Sequence, residues 1–290
     1  MPLPALRRRT LLGAAGAAVA AAGGLAWWAW PDSDAILAQV QRSGQLRVGY
    51  AIEPPYAQLD ADLQPAGESP GVVRALAQAL GWRPVWTLTD FGLLLPQLEA
   101  GRFDLVAAGL FITPERRQRV RFSRPTLQVR AGWLWRTGGG APPSDYGQAA
   151  RAARQAAAAD GAAGLRLVAL SGSIEQQALL AAGLPSQRLL LVPDAATGES
   201  LVLRGQADAL ALSWPTVRRM AEASTGRLQA RPIADAVATH EVALAMHRDA
   251  ASLQRLLDGV LQGYIGSAGH LALLQRCGLG RDDLPAGAHG

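Results

Sequence analysis

Cysteine is nearly missing from this chain, and Cys277 is the single one. A lone thiol forms no internal disulfide and no cysteine-rich metal site. It lies in the apolar-patterned stretch LALLQRCGLG, where a packed, unreactive thiol is expected. Lysine is absent altogether, so every basic side chain is arginine. With alanine and glycine abundant, this reads as codon-composition bias, and the basic balance then says little about nucleic acid. Acids are absent from residues 1–30, where Arg7, Arg8 and Arg9 supply three charges of the formal net +5. No basic block stands elsewhere, which weighs against a nucleic-acid partner. The histidines His240, His247, His270 and His289 stand at no zinc-ligand spacing with an acid or a cysteine. A G-x-S-x-G elbow and a phosphate-binding P-loop are both missing. No catalytic residue, metal or cofactor is therefore expected.

What is present is a long export-like start and a large apolar remainder. MPLPALRRRTLLGAAGAAVAAAGGLAWWAW opens with a basic patch and carries no charge from Thr10 to Trp30. That is the pattern of an export signal. Arg8 and Arg9 ahead of Leu11 and Leu12 resemble a twin-arginine signal, and Ala18, Ala20 and Ala22 suit cleavage. The same run is long enough to span a bilayer, which needs about 20 residues. Trp27, Trp28 and Trp30 would then form an interfacial belt. Cleaved signal and retained anchor both stand, and either puts residue 31 onward outside the cytoplasm. Without a cysteine after the apolar run, a lipoprotein is excluded.

The chain of 290 residues, 49% apolar, allows two lobes of ordinary size, since domains run about 100–200 residues. Strand-length apolar runs alternate with helix-period patterns. LRVGY (46–50) reads as a strand and GVVRALAQALG (71–81) as a helix that buries Val72, Val73, Leu76 and Leu80. PVWTL, LLLPQLEAG and FDLVAAG continue as strand, helix and strand. TPERRQRV opens a helix with Thr113 as N-cap and Pro114 at its first position. The second half repeats the class, with strands at LRLVAL (165–170), LLLV (189–192) and DALAL (208–212). Helices start near Ser173, Thr197 and Pro215. RTGGGAPPSDYGQ is a loop. The expected class is α/β with parallel strands in two lobes. VRAGWLW (129–135) and ATHEVALAMH (238–247) are the two hinge-crossing strands, with a ligand cleft between the lobes. The divisions expected are 44–132 for the first lobe, 133–237 for the second, and 238–285 for the return crossing and C-terminal helices on the first.

Ligands of open α/β sheets sit outside the carboxyl ends of the strands. Three loops bring Glu53, Tyr56, Phe91, Gly109, Phe111 and Arg116 to those ends. Aromatic faces attract a cation, and an arginine holds a carboxylate with two parallel hydrogen bonds. The set therefore suits a small zwitterion, with Glu53 accepting a ligand N–H. Each residue also has a plainer reading. Arg116 could pair with Glu115 on the surface, the phenylalanines could be core, Tyr56 could staple a turn, and Glu53 could be a solvated loop acid. In the second lobe, Ser173 starts a helix whose free N–H groups suit a carboxylate, or it simply caps that helix. Ser213 ends a strand facing the cleft, and Trp214 beside it is a further cleft candidate. Trp133 and Trp135 are expected to pack.

LRVGY, PPYAQLD, GVVRALAQALGW and above all AGRFDLVAAGLFITPERR resemble the family 3 extracellular solute-binding proteins of ABC importers. The resemblance runs from about Gly44 to Leu284. It implies a type II periplasmic-binding-protein-like fold, a freely diffusing monomer, and an ABC permease as partner. GESPGVVRAL, LLLVPDAATG and YIGSAGHLALLQRCGLGRDDLP are most similar to the ectoine/hydroxyectoine-binding branch. That branch's aromatic cage falls on Tyr56, Phe91 and Phe111, its acid on Glu53 and its clamp on Arg116. Amino-acid binders of the family usually carry an aspartate where this chain has Ser213, and that departure favours a caged, diffuse cation. A polar amino-acid binder, a membrane-tethered sensor and a dehydratase using Glu53 as proton donor are the alternatives to an ectoine-like binder.

Overall fold

The computed structural model describes residues 34–158, 164–234 and 239–287. The expected export segment or anchor lies outside the described residues. Among those residues, no helix is long and apolar enough to cross a membrane.

The first lobe starts with helix α1 (Ala35–Ser43) and strand β1 (Gln45–Tyr50). A short ribbon, β2 (Gln58–Leu59) with β3 (Pro65–Ala66), precedes α2 (Glu68–Leu80) and β4 (Arg83–Leu88). A 3-10 turn at Phe91–Leu93 runs into α3 (Leu94–Glu99), and β5 (Leu105–Val106), α4 (Pro114–Arg119) and β6 (Val120–Phe122) follow. β1 pairs in parallel with β4 on one side and β5 on the other. Leu46 and Val48 are fully buried, as suits a strand covered on both faces. β5 is shorter than FDLVAAG suggests. Its extended course continues through an Ala107 N–H to Gly49 carbonyl bond, then turns at Gly109 with a φ of +67°.

α2 begins at Glu68, earlier than its apolar pattern, and ends where Gly81 adopts the left-handed conformation and its N–H caps the Ala77 and Gln78 carbonyls. Its apolar face meets helices from the far end of the chain. Leu253, Leu257 and Leu261 of α9 (Ala251–Tyr264) and Leu273 of α10 (Ala268–Arg276) join Val72, Val73 and Leu76 in one buried cluster.

The second lobe runs through β7 (Leu127–Arg136), α5 (Tyr146–Ala158), β8 (Leu167–Leu170), α6 (Ile174–Ala181) and β9 (Leu189–Val192). It continues with α7 (Ala195–Leu203), β10 (Ala209–Ser213), α8 (Trp214–Ala223) and β11 (Leu228–Pro232). The strand order is β11-β7-β10-β8-β9. α7 starts before the expected Thr197 because Asp194 is its cap, with Oδ1 accepting from the Thr197 N–H at 2.7 Å. Trp133 packs edge-on against Tyr146 with ring centres 5.5 Å apart.

β7 joins the two lobes. Leu127 to Arg130 pair with β12 (Thr239–Val242), while Ala131 to Arg136 pair with β10 and β11. After β12 the chain enters β13 (Ala245–His247), which sits inside the first sheet, order β4-β1-β5-β13-β6. The lobes also share apolar surface. Phe91, Leu94 and Val106 from the first and Val168, Leu170 and Val192 from the second belong to one cluster.

Candidate functional site

Arg116 stands in the first turn of α4. Thr113 caps that turn, its Oγ1 accepting from the Arg116 N–H at 3.2 Å. The side chain is only 4% exposed, which rules out the surface pairing with Glu115. Its Nη1 donates to the Phe111 carbonyl at 2.7 Å, and its Nη2 donates to the Gly172 carbonyl, in the second lobe, at 2.9 Å. Burial lowers the guanidinium to about 10, while the charges of Glu175 and Glu53 act against that shift.

Glu53 follows β1 and is buried as well. Its Oε1 accepts from the Thr216 hydroxyl at 3.1 Å and more weakly from the Ser213 hydroxyl at 3.4 Å. Those two hydroxyls, at the junction of β10 and α8, lie 2.8 Å apart. Burial pushes the Glu53 carboxyl up to about 8. The nearby Glu175 charge adds to the rise, and Thr216, Ser213 and Arg116 oppose it. Glu53 is therefore not the solvated loop acid of the plainer reading. It is a buried group bridging both lobes.

Tyr56 is fully buried, and its ring lies against the backbone of Gly109. A Cβ at Gly109 would stand 2.4 Å from that ring, so the position has room only for glycine. The Gly109 N–H donates to the Ser69 hydroxyl at 3.1 Å, and that hydroxyl donates to Glu68 at 2.7 Å. Burial, then the Glu53 charge, raise the Tyr56 phenol well above its ordinary value.

Phe111 bridges to Val242 of the return strand, and its ring stacks on His240 with centres 5.4 Å apart and planes 20° apart. Tyr56 and Phe111 share one apolar cluster with Leu127, Val129 and Val242 of the crossing strands. Phe91 lies in a different cluster, the one spanning both lobes. Two of the three expected cage rings are thus brought together around the hinge, and the third sits along the lobe junction.

Ser173 is a cap, its Oγ accepting from the Gln176 N–H at 3.1 Å. The backbone beside it faces the site, since Gly172 is the acceptor for Arg116. Trp214, the further cleft candidate, opens α8, packs against the cluster that spans both lobes, and lines a separate cavity with Gln128, Arg130 and Gly280.

Sequence reasoning missed three groups. Thr216 is the stronger hydroxyl partner of Glu53, one turn beyond Ser213. His240 supplies the ring against Phe111. Glu175, in the first turn of α6, is 2% exposed and carries a carboxylate oxygen with no hydrogen-bond partner. The signal for Glu175 lay in SGSIE, two residues past the cap, and was masked by the frequency of ordinary acids in first helical turns.

A cavity of about 650 Å³ opens between the lobes beside this group. Ala51, Pro54 and Asp90 line it from the first lobe and Asp194, Thr216 and Met220 from the second. Thr216 connects it to Glu53. The arrangement offers one buried cation, two buried acids, aromatic faces and a hydroxyl pair, all at a junction of two bodies.

The profile of the bacterial extracellular solute-binding proteins, family 3, matches residues 46–272. A probable amino-acid ABC transporter periplasmic-binding protein, y4tE of Sinorhizobium fredii, is 29% identical over 204 residues, 69% of this chain and 64% of that protein. The chain thus spans less than two thirds of that relative's length. The crystal structure of EhuB in complex with hydroxyectoine superposes with a TM-score of 0.74 at 25% identity, covering 83% of this chain and 91% of EhuB. A mutant of ArgBP from T. maritima superposes with a TM-score of 0.72 at 18% identity, covering 83% of this chain and 98% of ArgBP, which supports the fold.

Proposed function

This chain belongs to the bacterial extracellular solute-binding proteins, family 3, and on that premise we propose that it captures a small ectoine-like zwitterion and delivers it to the permease of an ABC importer. The observation that carries the reading is Arg116, a buried guanidinium at the lobe junction with hydrogen bonds into both lobes. A ligand carboxylate that takes over those donors links the lobes through itself. Glu53 accepts an N–H from the cationic end, Tyr56, Phe91 and Phe111 supply apolar and π surface for it, and Gly109 lets the Tyr56 ring lie close. Ser213 and Ser173 hold Glu53 and the α6 start in place. Helix α1 and residues 44–132, with the segment from Thr239 onward, form one lobe and residues 133–234 the other, closing about β7 and β12. The protein acts as a monomer outside the cytoplasm, exported by residues 1–30, without catalysis or cofactor. The test is a thermal-shift screen with ectoine, hydroxyectoine, betaines and amino acids. A solute at 100 times its dissociation constant adds about 2.7 kcal/mol. No shift with any of them would remove this reading.

One observation favours a second reading. A Glu53 carboxyl raised to about 8 holds its proton near neutral pH, as a general acid must. A dehydratase using it would protonate the leaving hydroxyl of a prephenate-like acid, which departs as water while the ring carboxylate leaves as carbon dioxide. Mass spectrometry after incubation separates the two readings, because a binder leaves the mass unchanged.

A further inference from the structure

Glu175 has no role in the reading above, yet it is among the most buried acids of the molecule. It lies two residues after Ser173, at 2% exposure, with Oε1 unpartnered. Gly172, three residues before it, is the group that accepts from Arg116. The charged and titratable groups facing it come from the first lobe: Arg116 of α4, then Glu53 and Tyr56 of the loop after β1. On its own helix the neighbours are uncharged. They are the Ser173 hydroxyl and Gln176, whose Oε1 accepts from the Gly172 N–H at 2.7 Å. His240 stands beside Arg116, and burial lowers its pKa toward the neutral form.

Charge balance then decides the state of Glu175. Arg116 offsets one carboxylate and a zwitterion adds no net charge, while the solute's cationic end faces Glu53 and draws it to the ionised form from the proton it holds in the empty site. An ionised Glu175 in the closed site would be an uncompensated buried charge, which costs several kcal/mol. It would also stand close to the carboxylate gripped by Arg116, and that like charge raises its pKa further unless a cation nearby offsets it. A protonated carboxyl removes both penalties and gains a donor. We infer that Glu175 is the second lobe's half of the clamp: its protonated carboxyl donates to the solute carboxylate beside Arg116, so capture of a net-neutral solute takes up a proton there. Burial already raises this carboxyl to about 7, against the pulls of its own backbone N–H, the Ser173 hydroxyl and Arg116. The inference rests on the proposed capture of a carboxylate-bearing solute. It adds that the site selects by net charge. A solute of net charge +1 supplies the missing cation itself and leaves Glu175 ionised.

The test is calorimetry with the full chain, wild type and Glu175→Gln, titrated with ectoine at about pH 8 in two buffers of different ionisation enthalpy. Glu53 exchanges protons too and feels the Glu175 charge, so the same pair is also compared in a Glu53→Gln background, where the difference reports Glu175 alone. Wild type is expected to take up about one proton more than E175Q. E175Q, which keeps a hydrogen-bond donor, is expected to bind within about threefold of wild type, and Glu175→Ala about tenfold more weakly. Equal proton exchange in wild type and E175Q overturns the inference and leaves solute capture standing. L-arginine provides the second arm. Its binding is expected to bring no extra proton and to weaken in E175Q, and an extra proton there overturns the charge argument. Absence of heat with both probes overturns the inference together with the reading beneath it.

Discussion

The guanidinium of Arg116, carried by the first lobe, donates to the carbonyl of Gly172, carried by the second, at 2.9 Å. Each hydrogen bond to a charged group contributes about 1.5–3 kcal/mol, and 1.4 kcal/mol is tenfold in affinity. Arg116→Ala is expected to lower solute affinity by roughly a hundredfold or more. Arg116→Lys keeps the charge but not the planar fork, and is expected to lose about tenfold. Titration calorimetry measures both. Wild-type affinity in either variant would remove Arg116 from the site.

Phe111 separates packing from π attraction. It is 6% exposed and stacked on His240. Phe111→Ala is expected to cost about 3–5 kcal/mol of stability. Phe111→Leu refills most of the volume and is expected to cost less than about 1.5 kcal/mol. The leucine still lacks a ring face, so solute affinity is expected to drop about tenfold. Denaturant unfolding paired with calorimetry reads both quantities. An F111L protein with undiminished affinity would mean that the ring serves the core alone.

Gly109 and Gly101 form a matched pair. Their φ values are +67° and +68°, so alanine strains the backbone equally at both. Space differs: nothing lies within 4 Å of a Cβ at Gly101, whereas the Tyr56 ring lies 2.4 Å from one at Gly109. Gly101→Ala is expected to cost about 1 kcal/mol. Gly109→Ala adds an overpacking cost of about 1–3 kcal/mol and displaces Tyr56. Urea midpoints compare the two, and equal losses would mean the Tyr56 contact is soft.

The buried carboxyls make stability depend on pH. Glu68 is fully buried, and burial raises it from 4.5 to about 7 despite the hydrogen bonds with Ser69 and Thr126. Its proton is retained on folding, so the stability it lends is complete below 4.5 and lost as pH rises through about 7. Glu53 acts in the same sense up to about 8. His270 runs the other way. Burial lowers it from 6.5 to about 4, so its contribution is lost only as pH falls below 6.5. Above 6.5 the carboxyls act unopposed by it. The melting temperature is expected to fall between about pH 6.5 and 8, and Glu68→Gln to flatten that fall. A scanning-calorimetry series with parallel slopes for the two proteins would contradict this.

Periodicity made the alternation of strands and helices legible, because buried parallel strands are continuous apolar runs and their helices keep an apolar face. LLLV and VRAGWLW are examples. Helix starts were legible where the cap stands next to the pattern, as at Thr113. At α7 the cap, Asp194, stood upstream of the residue chosen. The first-lobe half of the site was readable because Glu53, Phe91 and Arg116 lie just past strand ends. Glu175, Thr216 and His240 were not, since each is defined by what crosses to it from the other lobe. A sequence read along itself carries no sign of such contacts. The division of the aromatics between two clusters escaped for the same reason.

The middle of the first sheet is filled last. β13, residues 245–247, wedges between β5 and β6, while the second sheet takes its main path from residues 127–232. A polypeptide that emerges N-terminus first, from a ribosome or a membrane pore, therefore completes its later half before its earlier one. Until Ala245 arrives, β6 has no neighbour to bind it to β5. Removing the segment that begins there unmakes the beginning of the molecule rather than its end.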